Sequence, residues 1–145
     1  MRSTTIDVSR ALAAAGVLLS GVVHLDLWDV QRFRDIPTIG PLFLLNVVAG
    51  LVLGVAVLVW RHWLPALAAA GFGAATVLAF WISVVHGLFG LKEVATGSSQ
   101  VLAEVAEYVA VLFGVVAALG LWLARRRPVE DGRAQPLRVP AAASR

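Results

Sequence analysis

The sequence predicts an all-α protein, a four-helix transmembrane bundle with short loops and both termini in the cytoplasm. Three observations predict it: the composition, four long apolar segments, and the distribution of the basic residues. Of the 145 residues, 59% are hydrophobic and only 14% are charged, and the mean hydropathy is +0.84. These values lie outside the usual range of soluble globular domains, and the length is that of one domain.

Four segments of the chain are long enough to cross a bilayer. A helix needs about 20 apolar residues to span a hydrocarbon core of roughly 30 Å. The second and third segments contain no charged residue between their ends, whereas a soluble bundle requires a charged face on each helix. We expect transmembrane helices at approximately residues 9–28, 41–60, 64–88 and 101–124.

The first segment resembles a signal peptide, because a short basic stretch precedes an apolar run. The chain continues with His-Leu-Asp-Leu-Trp, where a cleavage site would read Ala-x-Ala. We therefore expect a retained helix. Pro41 and Pro65 fall in the first turns of the second and third helices, where a missing N–H costs little. Residues 61–63 are then a tight turn, which predicts that these two helices are antiparallel neighbours.

The basic residues set the predicted orientation. Nine arginines fall on one side of the bundle, and two arginines and one lysine fall on the other. The excess of positive charge is typical of the cytoplasmic side. Trp60, Trp63 and Trp122 lie at the same predicted interface, as amphipathic indole rings should. Arginine outnumbers lysine eleven to one, which indicates a GC-rich bacterial genome and hence a multi-pass protein of the bacterial cytoplasmic (inner) membrane.

Composition also excludes several classes of function. The chain has no cysteine, so disulfides, thiolate catalysis and cysteine-ligated metals are excluded. The formal charge of +3 does not indicate nucleic acid, since no folded soluble surface is left to present a basic groove. Residues 125–145 are rich in Pro, Ala and Arg, and we expect them to form a disordered cytoplasmic tail.

Polar residues interrupt the apolar segments at one predicted depth. At about 1.5 Å per residue, these residues lie roughly 5–10 Å below the outer boundary of the membrane. Ionisable groups at such depth normally face the bundle interior and pair with something. We therefore predict a polar pocket near the outer face, with Tyr108 beside the glutamates. The layer consists of His24, Asn46, His86, Glu104 and Glu107.

Three kinds of chemistry are open to this layer. His24, His86 and Glu107 are an acceptable ligand set for a divalent metal such as Zn²⁺, Mn²⁺ or iron. His24 and His86 alone are suited to a b-type haem held between facing helices. Glu–His pairs also handle protons near neutral pH. None of these has a diagnostic spacing, and the plain structural alternative is that each side chain is satisfied separately by a carbonyl, a headgroup or water.

The first outer loop, Asp29–Gly40, carries four charges of balanced sign. Asp29, Arg32, Arg34 and Asp35 are close in sequence. They predict either local ion pairs, each worth little, or a recognition loop over the outer pocket.

Two stretches of the chain resemble a known group of proteins. Gly21–Trp28 (GVVHLDLW) and Phe33–Asn46 (FRDIPTIGPLFLLN) look like segments of small, uncharacterised four-helix integral membrane proteins of GC-rich bacteria, and Glu104–Tyr108 (EVAEY) resembles their last helix. The resemblance covers the four helices but not the tail. It implies the fold and no activity, because that group has no established function, and it assigns no role to any residue.

The pattern as a whole favours a non-enzymatic accessory or interaction component with a polar pocket near the outer face. An enzyme is disfavoured, because almost no extramembrane domain exists and no nucleophile–base set is visible. The alternatives are a metal- or haem-binding membrane protein using His24 and His86, and a small proton-coupled carrier that acts as an oligomer. Expected partners are the lipid bilayer and either a membrane protein or a second copy, bound through small-residue helix faces such as Gly50-x-x-x-Gly54.

Overall fold

The computed structural model describes residues 3–126 and places most of them in four helices. A short 3-10 helix, Phe33–Asp35, lies between the first two. Each of the four helices is long and apolar enough to cross a membrane, which confirms the predicted all-α, four-helix class. Of the predicted tail, residues 125–145, the part that follows Arg126 lies outside the described residues. The helices are α1 (Ser3–Asp29), α2 (Ile39–Val59), α3 (Trp63–Val85) and α4 (Ser98–Arg125).

The start of α1 differs from the sequence prediction by about two turns. The helix begins at Ser3, and its first turns carry two charged residues, Asp7 and Arg10. Both are paired: Asp7 contacts Arg61 as well as Arg10. The apolar run alone therefore underestimates the helix, because its polar beginning is held by ion pairs at the end of the bundle.

The end of α3 also differs from the prediction. The helix stops at Val85 instead of continuing to about Leu88. Gly87 adopts a left-handed φ of 82°, and its N–H donates to the Ser83 carbonyl at 3.0 Å. A left-handed glycine in this bonding pattern ends a helix. His86 thus becomes the C-cap residue of α3.

The helices run antiparallel to their chain neighbours, so the described chain begins and ends at the same end of the bundle. We call the opposite end, with connections 30–38 and 86–97, the distal end; it is the predicted outer end. α1 and α4 form the central pair, with α2 packed on α1 and α3 on α4. α2 and α3 are antiparallel, as the tight turn predicts, but they contact each other sparsely. A cleft opens between them toward the distal end.

Glycines bring the helix backbones into close contact. A Cβ added at Gly16 would lie 2.6 Å from the Ala106 carbonyl oxygen of α4, and one at Gly50 would lie 2.7 Å from the Val17 carbonyl oxygen of α1. Gly54 faces the Leu18 side chain. The Gly50-x-x-x-Gly54 face is therefore occupied by α1 within the monomer, and its predicted use in an oligomer stays a prediction.

Large apolar side chains cover the outside of the bundle. Leu51, Leu78 and Leu112 are each more than half exposed, whereas the buried positions are dominated by alanine, glycine and serine. A soluble protein rarely exposes apolar patches of this extent. Leucine on the outside and small residues inside are the arrangement expected of helices that pack in lipid.

Candidate ligand pocket

A pocket with several polar side chains in its wall lies between the helices at the distal end. Its volume is about 90 Å³. Apolar and aromatic side chains, including Phe43 and Phe80, form most of its wall. Three carboxylates and one imidazole are part of the wall, while no lysine or arginine is. The polar lining comprises His24, Thr76, Ser83, Glu93, Gln100, Glu104 and Glu107.

Glu107 is the deepest polar group of the pocket. It lies in the distal half of α4 and is only 1% exposed. Its Oε1 accepts a hydrogen bond from Ser20 Oγ of α1 at 3.0 Å. An ionised carboxylate can accept about four hydrogen bonds, and Ser20 is the one protein donor found for it among residues 3–126. The carboxyl group is therefore incompletely satisfied by the protein.

His24 lies one turn above Ser20 on α1 and is 7% exposed. Its Nδ1 donates to the Ser20 carbonyl oxygen at 2.9 Å and lies 3.4 Å from the Ser20 hydroxyl. A carbonyl oxygen only accepts, so Nδ1 carries the proton. Phe43 of α2 meets the imidazole edge-on, with ring centroids 5.0 Å apart. These contacts fix the ring against the pocket wall.

Glu104 and Asn46 each leave a buried acceptor without a partner. Glu104 lies one turn above Glu107 on α4, and its Oε1 is buried with no hydrogen bond. Asn46 Nδ2 donates to Thr76 Oγ1 at 3.3 Å, while that hydroxyl donates onward to the Phe72 carbonyl at 2.9 Å. Since the threonine proton is used, the asparagine must donate to it. This leaves Asn46 Oδ1 buried and unpartnered.

The first distal connection packs on the helices beside the pocket, and none of residues 30–38 lines the pocket wall. Phe33 stacks on Phe43 with ring centroids 5.1 Å apart, and both pack on the buried cluster of Val23, Leu27 and Ala103.

The charges of the same connection bind one another at the surface. Arg32 Nε donates to Asp35 at 2.8 Å, and Arg34 pairs with Asp29. None of these four side chains lines the pocket, and a recognition role for them stays a prediction.

The second distal connection closes the pocket from above α3 and α4. Leu88 and Leu91 exchange backbone hydrogen bonds of 2.7 and 2.9 Å, and both line the pocket. Ser83 Oγ of α3 donates to the Leu91 carbonyl at 3.1 Å. Gln100 donates weakly to Glu93 at 3.5 Å. The roof is therefore a tight loop tied to both helices.

The cleft between α2 and α3 adjoins the pocket. Its volume is about 360 Å³, and its lining is almost entirely apolar. Ala75 and Asn46 are among the residues that line the cleft but not the pocket. Six residues belong to both spaces: His24, Ile39, Phe43, Thr76, Ala79 and Leu88. The polar pocket is therefore continuous with a lateral apolar space on the lipid-facing side.

The predicted layer is only partly assembled at this pocket. His24, Glu104 and Glu107 share its wall, and Asn46 lies in the adjoining cleft. His86 is exposed and lines neither space. Tyr108 is half exposed on the other face of α4, where its hydroxyl accepts a bond from Trp81 Nε1 at 3.4 Å.

We predicted no pocket residue in the segment 88–97, although Leu88, Leu91 and Glu93 line the wall. Nor did we predict Thr76, Phe43 or Phe80. Apolar and hydroxyl side chains in apolar helices carry no pattern that distinguishes a pocket wall from a lipid face.

The ligand sets predicted for a metal or haem are not brought together as groups in this structure. Within residues 3–126, no three His, Asp or Glu side chains form a cluster with metal-ligand geometry. His86 lies at the exposed C-cap of α3, outside the wall that holds His24 and Glu107. A metal or haem held by these residues stays a prediction that the geometry of the pocket does not favour.

The pocket ends at the level of Glu107. Below it, toward the chain termini, α1, α2, α3 and α4 meet in a cluster of small apolar side chains that are at most 1% exposed. Leu53, Phe72 and Phe113 pack around that cluster. The pocket therefore opens laterally into the adjoining cleft, and packed side chains close it on the side of the termini.

No protein-family model matches the chain, and no curated protein and no solved structure matches it. The resemblance to the four-helix proteins of GC-rich bacteria stays a prediction.

Proposed function

We propose that this chain is a non-enzymatic membrane protein that holds a small molecule in the distal pocket. The observation that carries the proposal is Glu107, a fully buried carboxyl group with one protein donor on the wall of an open cavity. Ionisable residues within membrane helices are costly and usually mark a functional site. An accessory role in the bacterial cytoplasmic membrane fits this pocket and the four apolar helices that surround it.

Catalysis is a weaker interpretation, although a serine, a histidine and a glutamate meet beside the pocket. In a hydrolase the serine gives its proton to the histidine, and the acid orients that histidine. Here Ser20 donates to Glu107, and His24 Nδ1 is used on the Ser20 carbonyl. Ser20 also lines neither the pocket nor the cleft, so its hydroxyl is not presented to a substrate carbonyl.

Transport is likewise less well supported. The carboxyl groups of Glu93, Glu104 and Glu107 form a series from the distal connection into the bundle, as a proton or cation entry would require. The packed cluster below Glu107 offers no continuation of that series. A site that is open on one side only is suited to binding.

A volume-filling substitution tests the proposal. Ala79 lies on the wall shared by pocket and cleft, while Ala74 lies on the exposed face of the same helix. We expect at least one of octylamine, octanol and octanoate to raise the unfolding temperature of nanodisc-embedded protein. A probe at 100 times its Kd stabilises the folded state by about 2.7 kcal/mol.

The expected effect disappears in Ala79→Phe and persists in Ala74→Phe. If none of the three probes stabilises the unsubstituted protein, the proposed binding function is contradicted. Equal stabilisation of both variants would contradict the assignment of binding to this pocket.

A further inference from the structure

The unsatisfied polar atoms around the pocket are all hydrogen-bond acceptors. Glu104 Oε1 and Asn46 Oδ1 are buried without a donor, and the Glu107 carboxyl group has one donor, Ser20. Leaving a buried acceptor unpaired costs about 1–3 kcal/mol. An occupant that restores these bonds must therefore supply several N–H or O–H donors.

The charged groups of the pocket wall further restrict the class of molecule that can bind. Three carboxyl groups line the pocket, and neither lysine nor arginine does. An anion would meet only repulsion there, and a neutral alcohol brings one donor. An ammonium group brings three donors and the opposite charge. Two aromatic side chains, Phe43 and Phe80, also line the wall, and a cation over an aromatic face is stabilised by about 0.5–2 kcal/mol.

The shape of the space determines the rest of the molecule. The polar pocket of about 90 Å³ accommodates a small headgroup. The adjoining cleft of about 360 Å³ is lined by side chains such as Leu42, Leu45 and Ala75. It lies between two helices whose outer surfaces are apolar, so a hydrocarbon chain can extend from the pocket toward the acyl chains of the bilayer.

We propose that the occupant is an amphipathic organic cation, with its ammonium group between Glu104 and Glu107 and its apolar chain in the cleft between α2 and α3. The inference rests on the proposed binding function and names the ligand class of that same pocket. The ammonium donates to the carboxylates of Glu104 and Glu107, which both line the pocket, while Asn46 lies in the adjoining cleft as a further acceptor. The bilayer and the external water are both sources of such molecules.

Binding of matched eight-carbon probes tests the headgroup. Dissociation constants of octylamine, octanol and octanoate are measured on full-length protein in nanodiscs made of a zwitterionic lipid. We expect octylamine to bind at least about tenfold more tightly than the other two, because a desolvated charge pair is specific for the sign of the ligand.

Substitutions of the two glutamates test which groups bind the ammonium. Glu107→Gln and Glu104→Gln should each remove the preference for octylamine, and Glu104→Gln remains informative if Glu107→Gln fails to fold. Asp26→Asn is the matched control, since Asp26 is exposed at the same end of the bundle and lines neither space. It should leave the preference intact.

A chain-length series tests the cleft and the source of the ligand. From butylamine, which enters from water, to dodecylamine, which enters from the bilayer, affinity should rise about fourfold per buried methylene. Ala75→Phe, which fills the cleft, should flatten the series. A flat series in the unsubstituted protein would overturn the assignment of the chain to the cleft.

The outcomes separate this inference from the proposed function. If octanol or octanoate binds as tightly as octylamine and Ala79→Phe abolishes binding, the pocket binds ligands but the cationic headgroup is refuted. If Asp26→Asn removes the preference as fully as the glutamate variants do, the assignment to Glu104 and Glu107 is refuted. If none of the three probes binds, the proposed function fails as well.

Discussion

Arg10 has a structural task that its charge alone does not reveal. The sequence counts it as one of the basic residues that orient the bundle. In the structure its NH2 group donates to the Val57 and Leu58 carbonyls at 2.7 and 2.9 Å. These carbonyls lie in the last turn of α2, where the helix has no backbone donors left. Arg10 thereby joins α1 to the end of α2.

Replacing Arg10 should therefore destabilise the bundle more than replacing Arg61. Both arginines contact Asp7, but their side chains are 12% and 52% exposed, respectively. We expect Arg10→Ala to lower the free energy of unfolding by about 1.5–3 kcal/mol, since it removes two charged hydrogen bonds to carbonyls at the end of a helix. Arg61→Ala should cost about 1 kcal/mol or less, as exposed ion pairs do.

Reversible unfolding in mixed micelles measures both values. Equal losses for the two variants would show that the carbonyl contacts add nothing to the shared ion pair.

Residue type and depth predicted part of the pocket, and local backbone geometry decided the rest. Glu107 and His24 were found because an ionisable group in an apolar helix is conspicuous. His86 satisfied the same criterion, yet it lies outside the pocket because α3 ends before it. The signal was present in Gly87, which follows it directly. Glycine after a polar residue at the end of an apolar run is the usual helix stop.

At the scale of helices, α1 and α4 pack closely because a glycine at their interface has no side chain to separate the two backbones. Gly16 of α1 lies against the Ala106 carbonyl and the Ala110 backbone of α4. Gly71 of α3 is exposed, and no atom lies within 4 Å of the position of its missing Cβ. These two helical glycines therefore differ in packing while sharing the same intrinsic helix propensity.

Alanine at the two positions should change stability in opposite directions. Gly16→Ala forces the α1 and α4 backbones apart and should cost about 1–3 kcal/mol, as overpacking does. Gly71→Ala adds helix propensity without a clash and should stabilise the protein by up to about 1 kcal/mol. Thermal unfolding of both variants in the same detergent gives the comparison. A stabilising Gly16→Ala would contradict the close backbone contact between α1 and α4.

The arrangement of helices was less predictable than their number. Hydropathy gives four segments because each must match the thickness of a bilayer. It does not say which faces meet. α2 and α3 follow each other through a tight turn, yet their glycines, such as Gly50 and Gly73, face α1 and α4 respectively. The cleft between α2 and α3 follows from that division, and sequence periodicity gave no indication of it.

For the whole molecule, the orientation of the bundle in the membrane determines which side of the membrane the pocket faces. Both described ends of the chain lie at one end and the pocket lies at the other. The excess of arginine at the end with the termini predicts that this end is cytoplasmic. In that orientation, the proposed ligand would reach the pocket from the external water or from the outer leaflet of the membrane.

Single cysteines test that orientation without background, because the chain has no cysteine of its own. Thr5 and Thr96 are both exposed and lie at opposite ends of the bundle. In spheroplasts of a bacterial host, a membrane-impermeant maleimide should label Thr96→Cys directly and Thr5→Cys only after permeabilisation. The opposite pattern would place the pocket on the cytoplasmic side, where its ligand would have to come from metabolism inside the cell. Labelling of both cysteines before permeabilisation would contradict a bundle that crosses the membrane with one fixed orientation.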